Sequence, residues 1–138
     1  MRLKADKILS VFLWLVALHS FLVGTGLIFL PSSIFQFFGF NSLLERFFTT
    51  QGGVFHIAMA ICYSMAAYDG KKYFSLIQFS IIVKFIASLF LIPYYFFISS
   101  YLLIILSGLS DLLMGIIMFT LLLIHKKSLH WLDNEKPA

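Results

Sequence analysis

Residues 74–124, FSLIQFSIIVKFIASLFLIPYYFFISSYLLIILSGLSDLLMGIIMFTLLLI, decide the architecture. They hold two apolar runs, 74–97 and 101–124, separated only by Ile98-Ser99-Ser100. Each exceeds the roughly 20 apolar residues that carry a helix across the bilayer hydrocarbon, about 30 Å thick. A break this short forces the two helices into an antiparallel hairpin, and Pro93, near the end of the first, removes one backbone hydrogen bond and favours a kink there. Each run carries one ion at its centre, Lys84 in the first and Asp111 in the second.

Working outward, a third apolar run covers residues 8–30 and ends at Pro31-Ser32-Ser33. A fourth has its apolar centre at 54–68, and Ser42-Leu43-Leu44-Glu45 reads as a capping box that starts its helix near residue 42. The stretch 31–40, rich in Phe35, Phe38 and their neighbours, is too short to span and reads as an interfacial or re-entrant segment. The expected fold is therefore all-α, a single integral membrane domain over 1–138. It is an antiparallel four-helix bundle with spans 8–30, 42–68, 74–97 and 101–124.

Composition agrees. Of the 138 residues 61% are hydrophobic and 12% charged, against about half and a quarter in soluble domains. The same figures exclude disorder, and the single Cys62 excludes a disulfide framework. Excess basic charge does not indicate nucleic acid, because the basic residues lie at span boundaries. Arg2, Lys4, Lys7, Lys71, Lys72, Lys126, Lys127 and Lys136 fall on one side and Arg46 alone on the other. By the positive-inside rule both termini face the cytoplasm, and the expected location is a bacterial inner membrane. A cleaved signal peptide is the competing reading of the N-terminus, but its apolar run is too long and lacks a small-x-small cleavage site.

Ionisable residues in hydrocarbon cost about 2.5 to 3.5 kcal/mol each on insertion scales, so each requires a partner or a purpose. Every expected span has one: His19, His56, Lys84 and Asp111. At about 1.5 Å per residue they lie roughly 16 to 21 Å from the cytoplasmic ends, so they share a depth near the midplane. Spacing of four residues aligns Ser80, Lys84 and Ser88, and likewise Ser107, Asp111 and Gly115. Such small or hydroxylated stripes are where membrane helices approach closely. Lys84 and Asp111 are expected to form an ion pair. Two readings of the cluster stay open: polar glue that sets helix register, and a ligand site or proton path. The histidines read first as packed, hydrogen-bonded residues. The alternative is that His19 and His56 ligate one haem iron from two helices. Arg46, Phe35, Phe38 and Trp131 are the candidates for lipid or interface contact. No other metal site is expected, and the phosphate-loop, Cys-x-x-Cys, His-Glu-x-x-His and triad signatures of enzymes are absent.

Pro31, Phe35, Phe38-Gly39, Arg46, Gly52-Gly53, Lys84 and Asp111, taken in order, resemble the small four-helix membrane proteins called DoxX-like, including a DUF4345-like group. That resemblance implies a four-helix bundle of this size and, for some members, association with larger membrane enzymes or with quinone-dependent oxidation. Where those families tend to carry Arg in the third span this chain has Lys84, which cannot offer a bidentate anion contact. Three functions follow as expectations. The first is a non-catalytic accessory or scaffold subunit, partnered by lipids and by other membrane subunits or a second copy. The second is a midplane site for a quinone, lipid or other amphipathic ligand. The third is proton or ion translocation through the His, Lys and Asp cluster.

Overall fold

The computed structural model describes residues 2–38 and 46–134, with side chains described for 6–38 and 46–124. These residues are helical nearly throughout, with no strand among them. Helix α1 spans Arg2–Phe29, the short α2 Ser32–Phe37, α3 Phe47–Tyr68, α4 Phe74–Phe97 and α5 Leu102–Asn134. The capping box expected at Ser42–Glu45 lies outside the described residues. Helix α3 begins five residues later than the span expected from 42, and α4 is helical through Pro93.

Among the described residues three helices, not the four expected, are long and apolar enough to cross a membrane by their own composition: α1 from Asp6, α4, and α5 from Leu102 to Ile124. Helix α3 is long enough but falls short in apolarity. Thr49, Thr50, Gln51, the two glycines, His56 and Ser64 dilute it.

The four long helices form a ring in which each touches its neighbours in sequence and α5 returns to α1. The α1–α3 and α4–α5 contacts are much the more extensive, and the α3–α4 joint is the least. Helices α1 and α3 run antiparallel. At one end the Ser10 hydroxyl donates to the Ala67 carbonyl at 2.6 Å, and at the other Gly24 lies against Gly53. A Cβ added to either glycine would stand 2.7 Å from the other's carbonyl oxygen, so the backbones meet with no room for a side chain. In the second pair, Gly108 lies under Leu91 and Ile92, and Gly115 under Lys84 and Phe85.

Large apolar side chains fill only one half of the ring. Leu9, Leu13, Val16, Tyr63, Ile77, Ile81, Met118 and Leu122 are buried together at the end carrying the turn between α3 and α4. In that turn Asp69 Oδ1 accepts the amide hydrogens of Lys71 and Lys72, at 3.1 and 3.0 Å. The glycine seams hold the other half.

The contrast between adjacent glycines is measurable. An added Cβ at Gly52 would meet only the tip of Leu27, at 3.8 Å, whereas at Gly53 it would meet Ile28 at 2.6 Å and the Gly24 carbonyl. Gly52→Ala is expected to be neutral or to stabilise by up to about 1 kcal/mol through lost chain entropy. Gly53→Ala should destabilise by about 1 to 3 kcal/mol through overpacking. Unfolding midpoints of the two variants in detergent test the difference.

Candidate functional site

Lys84 lies near the middle of α4 and is 3% exposed; Ser80 and Ser88, one turn to either side, are 0% and 2% exposed. The stripe expected on this helix therefore faces inward throughout. The Lys84 ammonium donates to Asp111 Oδ1 on α5, and the carboxylate side chain is 14% exposed. The ammonium also stands 5.7 Å from the centre of the Tyr63 ring on α3, within cation–π range. Among the described residues no buried side-chain nitrogen or oxygen lacks a hydrogen-bond partner.

The two serines flanking Lys84 are bonded within their own helix. Ser80 donates to the Leu76 carbonyl and Ser88 to that of Phe85. Their contribution is small size at a close approach. On α5 the expected stripe turns away at one end: Ser107 is exposed, and the buried positions are Gly108 and Gly115, with Asp111 between them. Steps of four drift round a helix of 3.6 residues per turn, so the face follows 108, 111 and 115 rather than 107, 111 and 115.

The histidines part company. His56 sits beside Ser20, which is 1% exposed and donates to the His56 carbonyl at 3.0 Å, with its oxygen 3.3 Å from the ring Nδ1. His19 is exposed and lines a separate cavity of about 210 Å3 between α1 and α5, beside Ser110 and Met114. The two imidazoles thus line different cavities. Among the described residues no group of three or more His, Cys, Asp or Glu is placed to hold a metal ion.

His56, Ser20, Tyr63, Lys84 and Asp111 all line one cavity of about 290 Å3 in the joint between α3 and α4. Its remaining walls are apolar: Phe55, Met59, Val83, Ala87, Phe90 and Leu91. Phe55 and Phe90, 64% and 62% exposed, mark the side on which it opens outward. The cavity thus has a polar floor and an aromatic mouth. Sequence spacing found His56, Lys84 and Asp111, but not Tyr63 or the mouth. Tyr63, two turns beyond His56, carried no signal distinguishing it from an ordinary core aromatic.

The interface candidates are also redistributed. Phe35 is the residue α2 buries, at 7% exposure, and Phe37 points outward instead, with Phe38 packed edge-on to it. Arg46 does not stand out from the surface. Its Nη2 donates to the carbonyls of Ile28 and Leu30, at 3.0 and 2.7 Å, and so caps the end of α1. Helix α1 has no basic residue in its last turn, and this guanidinium satisfies carbonyls that would otherwise lack partners. Trp131 lies in the last turn of α5, outside the residues whose side chains are described.

Comparison of the chain with protein-family models, with curated proteins and with solved structures found no match.

Two outcomes are expected. Lys84→Leu leaves a buried carboxylate unpaired and should cost about 3 to 5 kcal/mol, whereas replacing Lys84 and Asp111 together by Leu should recover most of that loss. Equilibrium unfolding of the single and double variants checks it. Arg46→Gln should cost about 1.5 to 3 kcal/mol and raise amide exchange at the end of α1. Exchange mass spectrometry locates the effect.

Proposed function

We propose that this chain is an integral membrane protein of the inner membrane whose α3–α4 cavity holds an amphipathic ligand, a quinone or a lipid. Its polar group would meet Lys84, Asp111 and His56, and its apolar part would leave between Phe55 and Phe90. The observation that carries this reading is the buried Lys84–Asp111 pair opening onto a side-facing cavity. A pair serving only as register glue needs no such space beside it. The Lys84 ammonium has three donors and one carboxylate partner, which suits it to a further acceptor such as a carbonyl or ester oxygen. Polar groups few in number against apolar walls are the usual make-up of small-molecule sites.

Membrane insertion with four crossings belongs to the same proposal. Helix α3 lies along α1 from the Ser10–Ala67 contact to the Gly24–Gly53 contact, which supports a crossing beside α1. Lys7, Lys71 and Lys72 then share one end of the bundle and Arg46 the other, which supports a cytoplasmic location for both termini. The DoxX-like resemblance implies a four-helix bundle of the same size. Ion translocation is less well supported, because the apolar half of the ring separates the pair from the lysine-bearing end and has no charged side chain in its core. Docking on a larger membrane complex is the second reading. The outward-facing Phe37 of α2, 84% exposed, favours it, and purification in mild detergent as an assembly larger than the single chain would support it.

The ligand reading is tested on the full chain in detergent by native mass spectrometry and by thermal shift with ubiquinone and with phospholipids. A retained or stabilising ligand is expected. Ala87→Phe, which fills the cavity and leaves the ion pair in place, should weaken binding at least tenfold. Binding unchanged by Ala87→Phe and by the double Leu variant would remove the site.

A further inference from the structure

We infer that the end of the molecule carrying the Asp69–Lys72 turn holds a second binding site, for an amphipathic zwitterion: an ammonium and an anionic phosphate or carboxylate in one head, joined to an apolar tail. The structure has a cavity of about 410 Å3 there, enclosed by the start of α1, the end of α3, the turn and the start of α4. It shares no lining residue with the cavity beside Lys84, and the buried core residues Leu13, Tyr63 and Ile81 lie between the two.

Its chemistry is specific. The floor is apolar, formed by the buried Leu9, Leu13 and Ile77, and among the described residues four charged ones share the lining with Ser10, Tyr68 and small residues: Asp6, Lys7, Asp69 and Lys71. Two acids and two bases cancel. An anionic head would approach Lys7 and Lys71 but meet two carboxylates, and a cationic head would meet the converse. A head carrying both charges satisfies both sets at once, and the unfavourable juxtapositions discriminate against the singly charged alternatives. Asp69 is held for this role by the turn, since its Oδ1 accepts two backbone amides and fixes the carboxylate against the cavity. Position supplies the tail. The cavity lies where the apolar stretches of α1 and α4 begin, at Asp6 and Phe74, so an apolar chain can follow the floor toward the hydrocarbon while the head stays at the boundary. Its volume falls within the range of about 300 to 1,000 Å3 typical of small-molecule sites.

The head chemistry is shared by an aminophospholipid and by water-soluble amino-phosphates, and the test separates them. The full-length protein in detergent is titrated with dioleoyl phosphatidylethanolamine, dioleoyl phosphatidylglycerol or glycerophosphoethanolamine, and bound species are counted by native mass spectrometry. Phosphatidylethanolamine is expected to exceed phosphatidylglycerol at least fivefold. Asp69→Asn, which keeps the acceptor for the turn amides, and Asp6→Asn, made separately, should each bring that ratio toward one. The Lys84→Leu, Asp111→Leu double variant should leave it unchanged, whatever the fate of the other cavity. Glycerophosphoethanolamine binding as tightly as the lipid would support a soluble zwitterion; failure to bind would support the lipid. A ratio near one in the unaltered protein, a preference for phosphatidylglycerol, or a ratio that neither Asn variant changes overturns the site.

Discussion

An ammonium and a carboxylate held at mid-helix, with apolar side chains on almost every other position, constrain everything around them. Each alone is costly in hydrocarbon, and together they remain acceptable only while α4 and α5 keep the register that brings Lys84 to Asp111. The pair therefore fixes how far one helix of the hairpin slides along the other. Gly108 and Gly115 let the backbones come close enough for the contact to form. The Tyr63 ring on α3 extends the same constraint to a third helix, since the ammonium faces it as well as the carboxylate. Removing either charge leaves the other stranded, whereas removing both leaves only packing to set the register.

Polar groups elsewhere are settled locally. Ser64, Ser80, Ser88 and Thr120 return their hydroxyls to carbonyls of their own helices, and Thr25 does the same. The Ser10 and Ser20 hydroxyls instead cross from α1 to α3, and the Arg46 guanidinium reaches back from the start of α3 to the end of α1.

Much of this was legible in the sequence, and for definite reasons. Long apolar runs with short breaks give the helices and their order, and spacing of four residues puts Ser80, Lys84 and Ser88 on one face. The matching depth of Lys84 and Asp111 across a three-residue break identifies them as partners. What could not be read depends on rotation and crossing, which periodicity leaves free. His19 and Ser20 are neighbours 100° apart on a helix; spacing of four puts Ser20 on one stripe with Gly24 and His19 on its edge, but does not say that this stripe meets His56. The structure turns Ser20 inward and leaves His19 on the α5 side. Arg46 was placed correctly at a helix boundary, but its partners are carbonyls of α1, sixteen and eighteen residues earlier, and such long-range capping leaves no local pattern. The expected count of four apolar spans was not met at α3, where Thr49, Thr50, Gln51, Gly52 and Gly53 precede an apolar centre too short to offset them.

That same close packing explains where the cavities lie. Glycine at Gly24 and Gly53 draws α1 onto α3, and glycine at Gly108 and Gly115 draws α5 onto α4, so the ring is built of two tight pairs. A helix cannot approach both neighbours at backbone distance without small residues on both faces, and in the α3–α4 joint Ala87 shares the space with the large Phe55, Met59 and Tyr63 rather than with a glycine. Larger side chains, Phe55, Met59, Phe90 and Leu91, hold that joint apart and leave the space above Lys84 and Asp111. The other joint, between α1 and α5, opens in the same way beside His19. The side-facing cavities are thus a consequence of how the glycines pair the helices. The one bordered by a buried charge pair and a histidine is the one with the chemistry to select what enters it.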